Sequence, residues 1–289
     1  MRTDGRESDN VEDRRGQRAG GGLGVGRLGL GGVVIALIAS YFLGVDPRVV
    51  LGLLGGIDGS APTPVQAAAG PAPKPADGAG RFMSVVLADT EDTWNALFRE
   101  GGRDYAEPRL VLYENQWPTA CGRGDSAAGP FYCPADQKIY IDLTFFRALS
   151  ERFKAPGDFA AAYVLAHEVG HHVQNQLGVM DKVAQLRAQM TPQQANGLSV
   201  RVELQADCFA GIWAHHAQRS RQVLEQGDLD EALRAAAAVG DDTLQRASQG
   251  RVVPESFTHG SAEQRARWFR IGYESGRLAA CDTFSARSL

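Results

Sequence analysis

The pentapeptide His167-Glu168-Val169-Gly170-His171 constrains this chain more than any other feature. Residues four apart share one face of an α-helix, with Cβ atoms about 5–6 Å apart. Two imidazoles placed that way can reach one zinc ion at about 2.0–2.1 Å. Glu168, one residue past the first histidine, projects beside such an ion rather than onto it. There it can hydrogen-bond a water and take its proton. With 6 histidines in 289 residues, a chance HExxH is uncommon, although a pair of surface histidines on an amphipathic helix is the alternative. The surrounding sequence argues against that alternative. Asp158 is a good N-cap for a helix running FAAAYVLAHEVGHHVQNQL, with Gly178 as its stop. Phe159 to Ala166 is apolar, so the histidines emerge from a core element. Gly170 sits mid-helix at a cost of about 1 kcal/mol relative to alanine, which points to a close approach by something at that position.

A third ligand is available in VELQADCFAG, on a helix expected from Ser199 to Gln218. Glu203 and Asp207 are again four apart. Zinc hydrolases commonly use two histidines and one carboxylate, leaving a fourth position for water. The second carboxylate, Asp207, can hydrogen-bond a ligating imidazole and fix its tautomer. A solvated helix charge beside Arg201 is the alternative for Glu203. His259, in a loop, is a candidate stabiliser of a tetrahedral oxyanion, or simply a hydrogen-bonded loop histidine. His172 points about 100° away from His171 and reads as a supporting or core residue. His215 and His216 read as helix surface, and Trp268 and Phe269 as core. Tyr140 and Ile141 lie on a strand that, by resemblance to related zinc peptidases, would run along the cleft, where an extended peptide could add by backbone hydrogen bonds. Residues 179–200 are a candidate lid.

Overall, 44% hydrophobic and 22% charged residues exclude a wholly disordered chain, a collagen-like fibre and a multi-pass membrane protein. A net charge of −4 gives no bulk attraction to nucleic acid. The averages hide a strong asymmetry. Residues 1–27 are polar, glycine-rich and charged, and are expected to be a disordered cytoplasmic tail. Leu28 to Val45 is an uncharged run of eighteen residues, about 27 Å long as a helix and close to the hydrocarbon thickness of a bilayer. Arginines before it and Asp46 after it favour a signal anchor with the N-terminus inside. A cleaved signal peptide and a buried helix are the competing readings. Val49 to Ile57 is too short to span. Residues 46–80 read as a Pro/Ala/Gly-rich linker, and 81–289 as the folded domain. Four cysteines outside the cytoplasm suggest two disulfides. Cys121–Cys133 is the natural local pair, which leaves Cys208–Cys281, although spacing alone does not prove connectivity.

Within the domain, helices are expected from Asp89 or Thr90 to Glu100 and from Asp228, with Gly240 as an interruption. A last helix follows the Ser261–Gln264 capping box and ends near Gly276. Arg109 to Tyr113 and Lys138 to Asp142 read as strands. The fold class is therefore α+β, mostly helical with a small β-sheet, preceded by one transmembrane helix.

HEVGHHVQ, ELQADCFAG and FTHGSAEQRARWF, in that order and with ACGRGD, GPFYCPAD and KIYIDLTFF before them, resemble the bacterial neutral zinc metallopeptidase family, membrane-anchored members of the broad glutamate-zincin group. The resemblance runs from about Arg81 to Phe284. It implies zinc ligands at His167, His171 and Glu203, a catalytic base at Glu168 and a zincin-like domain. The expected function is a membrane-anchored, extracytoplasmic zinc peptidase of the bacterial inner membrane that hydrolyses polypeptides. A cell-wall peptide amidase with the same centre and a non-catalytic envelope scaffold braced by zinc are the rivals.

Overall fold

The computed structural model describes residues 1–17, 73–125 and 129–289. The expected membrane segment 28–45, residues 18–27 and the linker through residue 72 lie outside the described residues. Among the described residues, no helix is long and apolar enough to cross a membrane.

A four-stranded sheet is ordered β1 (Val11–Asp13), β2 (Arg109–Tyr113), β6 (Lys138–Asp142), β5 (Phe131–Cys133). The first two pairings are parallel and the last is antiparallel. The period-two pattern of β2 and β6 sorts their side chains onto two faces. Leu110, Leu112, Ile139 and Ile141 enter the main core beneath the helices. Val111, Tyr113 and Tyr140 form a smaller cluster with Trp117, Cys121 and Phe131. That outer face is covered by the hairpin of β3 (Gln116–Thr119) and β4 (Gly122–Asp125). The Cys121–Cys133 disulfide staples the hairpin to β5.

The helices are α1 (Gly78–Glu100), α2 (Thr144–Glu151), α3 (Asp158–Gln176), α4 (Val179–Arg187), α5 (Pro192–Arg221), α6 (Asp228–Ala238), α7 (Asp241–Gln249) and α8 (Ala262–Ser275). α3 is central and buried on nearly every side from Phe159 to Val173. Its cap is not Asp158 but Gly157, at φ 132°. Capping comes from another helix, because the Glu231 carboxylate on α6 accepts a hydrogen bond from the Phe159 backbone N–H at 3.1 Å. A Cβ at Gly157 would collide with that same carboxylate.

Two helices begin earlier than expected. α1 starts eleven residues before Asp89, with the Asp77 side chain accepting from Gly80 N–H. Its opening turns look linker-like because they are rich in glycine and alanine, yet Met83, Val86 and Leu87 are buried there. Asp89 and Thr90 are then interior to the helix, and Asp89 accepts a hydrogen bond from Trp213 Nε1 at 2.7 Å. α5 starts at Pro192, with a Thr191–Gln194 capping box; proline is well placed in a first turn, where its missing N–H costs nothing. The Ser261 capping box and the left-handed Gly276 stop of α8 are as read from the sequence.

The largest departure is at the N-terminus. Residues 1–17 do not form a disordered tail: they lie as a strap across α1 and the sheet edge. Val11 is buried and β1 pairs with β2 in the register Val11–Leu110. The Glu91 carboxylate on α1, 1% exposed, accepts from Ser8 Oγ, Asn10 Nδ2 and Arg6 Nη2. Ser8 and Ser84 exchange two further bonds, each 3.1 Å. High charge density and low hydropathy conceal this strap in the sequence, because its partners are buried polar groups rather than an apolar face.

Removing the strap deletes three hydrogen bonds to the Glu91 carboxylate and the β1–β2 pairing, and each hydrogen bond to a charged group contributes about 1.5–3 kcal/mol. A chain of residues 73–289 should therefore melt well below one in which a short Gly/Ser linker joins 1–17 to 73–289. Calorimetry of the two proteins checks this, and equal melting temperatures would refute a structural role for the strap.

Candidate metal centre

The centre is assembled where α3, α5 and α8 approach backbone to backbone. A Cβ at Gly170 of α3 would lie 2.9 Å from the Ala206 carbonyl oxygen of α5. One at Gly272 of α8 would lie 1.9 Å from the Cys208 carbonyl oxygen, and one at Gly211 2.1 Å from that of Phe269. Glycine permits these contacts because it has no side chain to separate the helices. Gly170 thus faces the close approach that its position in the motif suggested.

That approach brings His167, His171 and Glu203 together, with one ligand atom of each within 4.8 Å of the others. His167 Nε2 is 3.2 Å from Glu203 Oε2, and His171 Nε2 is 3.5 Å from Oε1. The other ring nitrogens are held from behind. His167 Nδ1–H donates to Asp207 Oδ1 at 2.8 Å. His171 Nδ1–H donates to Gln174 Oε1 at 2.9 Å, and the Gln174 amide donates to Val202 O and Gln205 Oε1. Both imidazoles therefore present Nε2 to a common point beside a carboxylate. Two histidine nitrogens and one carboxylate oxygen, with tautomers fixed by outer hydrogen bonds, suit zinc.

Asp207 is fully buried and accepts four bonds. Besides His167, Arg265 Nε and Nη2 donate to it at 2.8 and 2.9 Å, as does the Tyr163 hydroxyl. Burial raises its pKa, but the Arg265 and His167 charges outweigh that and hold it at about 2. For His167 burial favours the neutral ring, yet the Asp207 and Glu203 carboxylates push its pKa up to about 10 in the metal-free protein. Glu203 is lowered well below the ordinary carboxylate range: burial opposes ionisation, and the two histidines favour it.

A cleft of about 720 Å³ opens over these groups. His167, Glu168, His171, Glu203, His259 and Arg265 line its floor, and Phe131, Tyr132, Phe145, Phe153 and Met180 its walls. Glu168 is 7% exposed, and among the described residues its carboxylate has no hydrogen-bond or ion-pair partner, so it faces the cleft uncommitted. His259 is held from α7: Asp241 Oδ2 accepts the His259 and Gly260 backbone N–H groups, and Oδ1 lies 3.3 Å from the His259 ring. Partial desolvation lowers the pKa of the half-exposed His259 ring, but the Asp241 contact and nearby Glu203 raise it overall.

Some residues fall elsewhere than expected. Tyr140 and Ile141 do not border the cleft, because β6 lies inside the sheet; the edge strand β5 borders it instead, through Phe131 and Tyr132. His172 is turned away from the centre. Its Nε2–H donates to Ala106 O at 2.6 Å, its Nδ1 accepts from Tyr132, and burial lowers its pKa. His215 and His216 donate to the Tyr273 and Gly276 carbonyls at the end of α8. Cys208 and Cys281 are bonded, which ties the C-terminal segment to α5 beside Asp207. Residues 179–200 are α4 and the start of α5; Val183 and Leu198 pack with Val202 and Phe284, while Met180 reaches the cleft.

Sequence reasoning did not single out Tyr163, Gln174, Asp241 or Arg265. Tyr163 lies one turn before His167 on the same helical face, a spacing that could have found it. Arg265 is indistinguishable in sequence from a solvated helix arginine, since only the glycine contacts of α5 and α8 bury it. A second acidic cluster, Asp158, Asp228 and Glu231, is already engaged: the Met1 amino group bonds Asp158, and Glu231 caps α3.

The family model described as "Putative neutral zinc metallopeptidase" matches residues 1–284. Among curated proteins, the chain is 50% identical over 292 residues to uncharacterized protein YpfJ of Escherichia coli K12, covering 98% of this chain and 99% of that one. It is 45% identical over 221 residues to uncharacterized protein Mb2605 of Mycobacterium bovis, covering 73% and 74%. No solved structure matches the chain.

Two outcomes follow from this geometry. Gly170→Ala places a methyl group against the α5 backbone, so the gain of about 1 kcal/mol in helix propensity should be outweighed by overpacking of about 1–3 kcal/mol. Denaturant unfolding should show a net loss of stability, and dye-competition titration a weaker affinity for zinc. The raised His167 pKa carries a second consequence. Below about pH 10 the metal-free ring holds a proton that must leave before Nε2 can ligate. Zinc uptake should therefore release a proton at neutral pH, and apparent affinity should strengthen as pH rises from 6 to 8. A pH-independent affinity would contradict the assignment of His167.

Proposed function

Because the chain belongs to the neutral zinc metallopeptidase family, we propose that it is a zinc-dependent peptidase whose metal is held by His167, His171 and Glu203 and whose general base is Glu168. The observation that carries this reading is the convergence of two Nε2 atoms and a carboxylate beside a second, unpartnered carboxylate in an open cleft. A purely structural zinc site needs no such second carboxylate, because closed sites use four protein ligands.

When bound, zinc supplies a Lewis acid for the scissile carbonyl and makes water more acidic. The remaining chemistry belongs to the chain. Glu168 accepts a proton from the attacking water and delivers it to the departing amine nitrogen. Asp207, clamped by Arg265 and Tyr163, keeps His167 in the tautomer that leaves Nε2 free, as Gln174 does for His171. His259, oriented by Asp241, stands at the cleft to donate a hydrogen bond to the carbonyl oxygen as it gains charge. The outer edge of β5 offers backbone groups to an extended polypeptide, and the aromatic walls favour apolar side chains.

We place this activity at the bacterial inner membrane on its extracytoplasmic side. Two disulfides support an oxidising compartment, and the uncharged run Leu28 to Val45 supports membrane association.

Glu168→Gln should retain about one zinc per chain and an unchanged melting temperature, while hydrolysis of a mixed peptide library falls roughly 10²–10⁴-fold. Glu203→Ala should lose most of the metal. Undiminished hydrolysis by a folded, zinc-loaded Glu168→Gln protein would rule out the base assignment. A library left uncut by the wild-type holoenzyme would rule out general peptidase action.

A further inference from the structure

The cleft above the metal centre contains a charged group that plays no part in the hydrolytic chemistry. Its walls are built largely of apolar side chains, yet Arg152, which closes the C-terminal end of α2, lines them too. Building on the peptidase reading, on which this rests, we propose that Arg152 selects peptides bearing a carboxylate close to the scissile bond.

The guanidinium is uncommitted. Among the described residues it makes no hydrogen bond or ion pair, and its ring contact is with Phe153, 5.7 Å from Cζ to the centroid. Phe153 also lines the cleft. A contact of this kind steadies the guanidinium over the ring face and leaves its N–H donors free. The other arginine of the cleft is spent, because Arg265 is buried and donates to Asp207 through Nε and Nη2. Among the described residues lining the cleft, the acids are Glu168 and Glu203. Both belong to the metal centre, where together they balance a divalent cation. Arg152 is thus a surplus positive charge on an apolar wall. Such walls strengthen ionic attraction relative to open water, and a surplus of one sign concentrates ligands of the other.

The planar fork of an arginine matches a carboxylate in two parallel hydrogen bonds. Reach limits where that carboxylate can lie. A sphere with the cleft's volume of about 720 Å³ is about 11 Å across, the length of about three extended residues. The carboxylate therefore lies within about three residues of the bond that is cut. An Asp or Glu side chain can supply it, and so can the C-terminus of a short peptide. Apolar residues beside it suit the walls formed by Phe131, Phe145 and Met180.

The test uses full-length, zinc-loaded protein carrying Glu168→Gln, so that peptides bind without being consumed. The probes are fluorescein-labelled apolar hexapeptides with one Glu, Gln or Lys at each position in turn, made with free and with amidated C-termini. Fluorescence anisotropy should show carboxylate-bearing members binding roughly tenfold more tightly than Gln members with amidated ends. The difference should shrink as salt rises. Adding Arg152→Glu should abolish that preference and favour the Lys members, whereas Arg152→Lys should keep part of it. Arg152 is exposed, so zinc content and melting temperature should stay unchanged in both. A preference for Glu members that survives amidation assigns the carboxylate to a side chain, and one lost on amidation assigns it to the C-terminus. Equal binding of all members, or a preference untouched by Arg152→Glu, would overturn the proposal. The same peptides offered to the protein with Glu168 restored separate the two readings. Cleavage without any carboxylate preference keeps the peptidase and removes the role of Arg152. An Arg152-dependent binding preference without cleavage keeps the carboxylate site and removes the peptidase.

Discussion

Everything at the centre depends on how closely three helix backbones can approach. Gly170 against Ala206, and Gly211 and Gly272 against Phe269 and Cys208, remove the side-chain layer that normally holds helices 8–10 Å apart. Without that approach the two histidines on α3 would face a carboxylate too distant to share an ion, and Arg265 could not reach Asp207. The close contacts also exclude water, so the Asp207 network operates in a low-dielectric setting. There a fully satisfied cluster is rigid, and a partly satisfied one is costly.

The central part of this arrangement was legible in the sequence because it is local. Helical spacing puts His167 with His171 and Glu203 with Asp207 on common faces, and period-two alternation marks β2 and β6. The capping box at Ser261 and the glycine at 276 delimit α8 for the same reason. What escaped is nonlocal. β5 has three residues and owes its edge position to pairing with β6. The Glu231 cap of α3 comes from a helix 72 positions away. The sequence alone makes α1 and α5 look too short, because glycine, alanine and proline at their starts resemble linker, and only tertiary burial makes those turns helical.

The strap is the clearest case of composition misleading. A polar, charged stretch such as 1–17 ordinarily cannot bury enough apolar surface to offset its ordering entropy. Here the deficit is met by charge-assisted hydrogen bonds to a buried glutamate and by three residues of sheet pairing. Its charges, which elsewhere signal disorder, are the adhesive. The family model matches from residue 1, so the family relationship runs through this segment as well as through the stretch from Arg81.

The distribution of the centre along the chain also affects when it can exist. The histidines lie on α3, their supporting carboxylate on α5, and the guanidinium that clamps it on α8, 98 positions after His167, while the cap of α3 waits for α6. A partly synthesised chain therefore holds scattered ligands and no assembled centre. The hydrolytic machinery proposed for this protein would come into being only on completion of the fold.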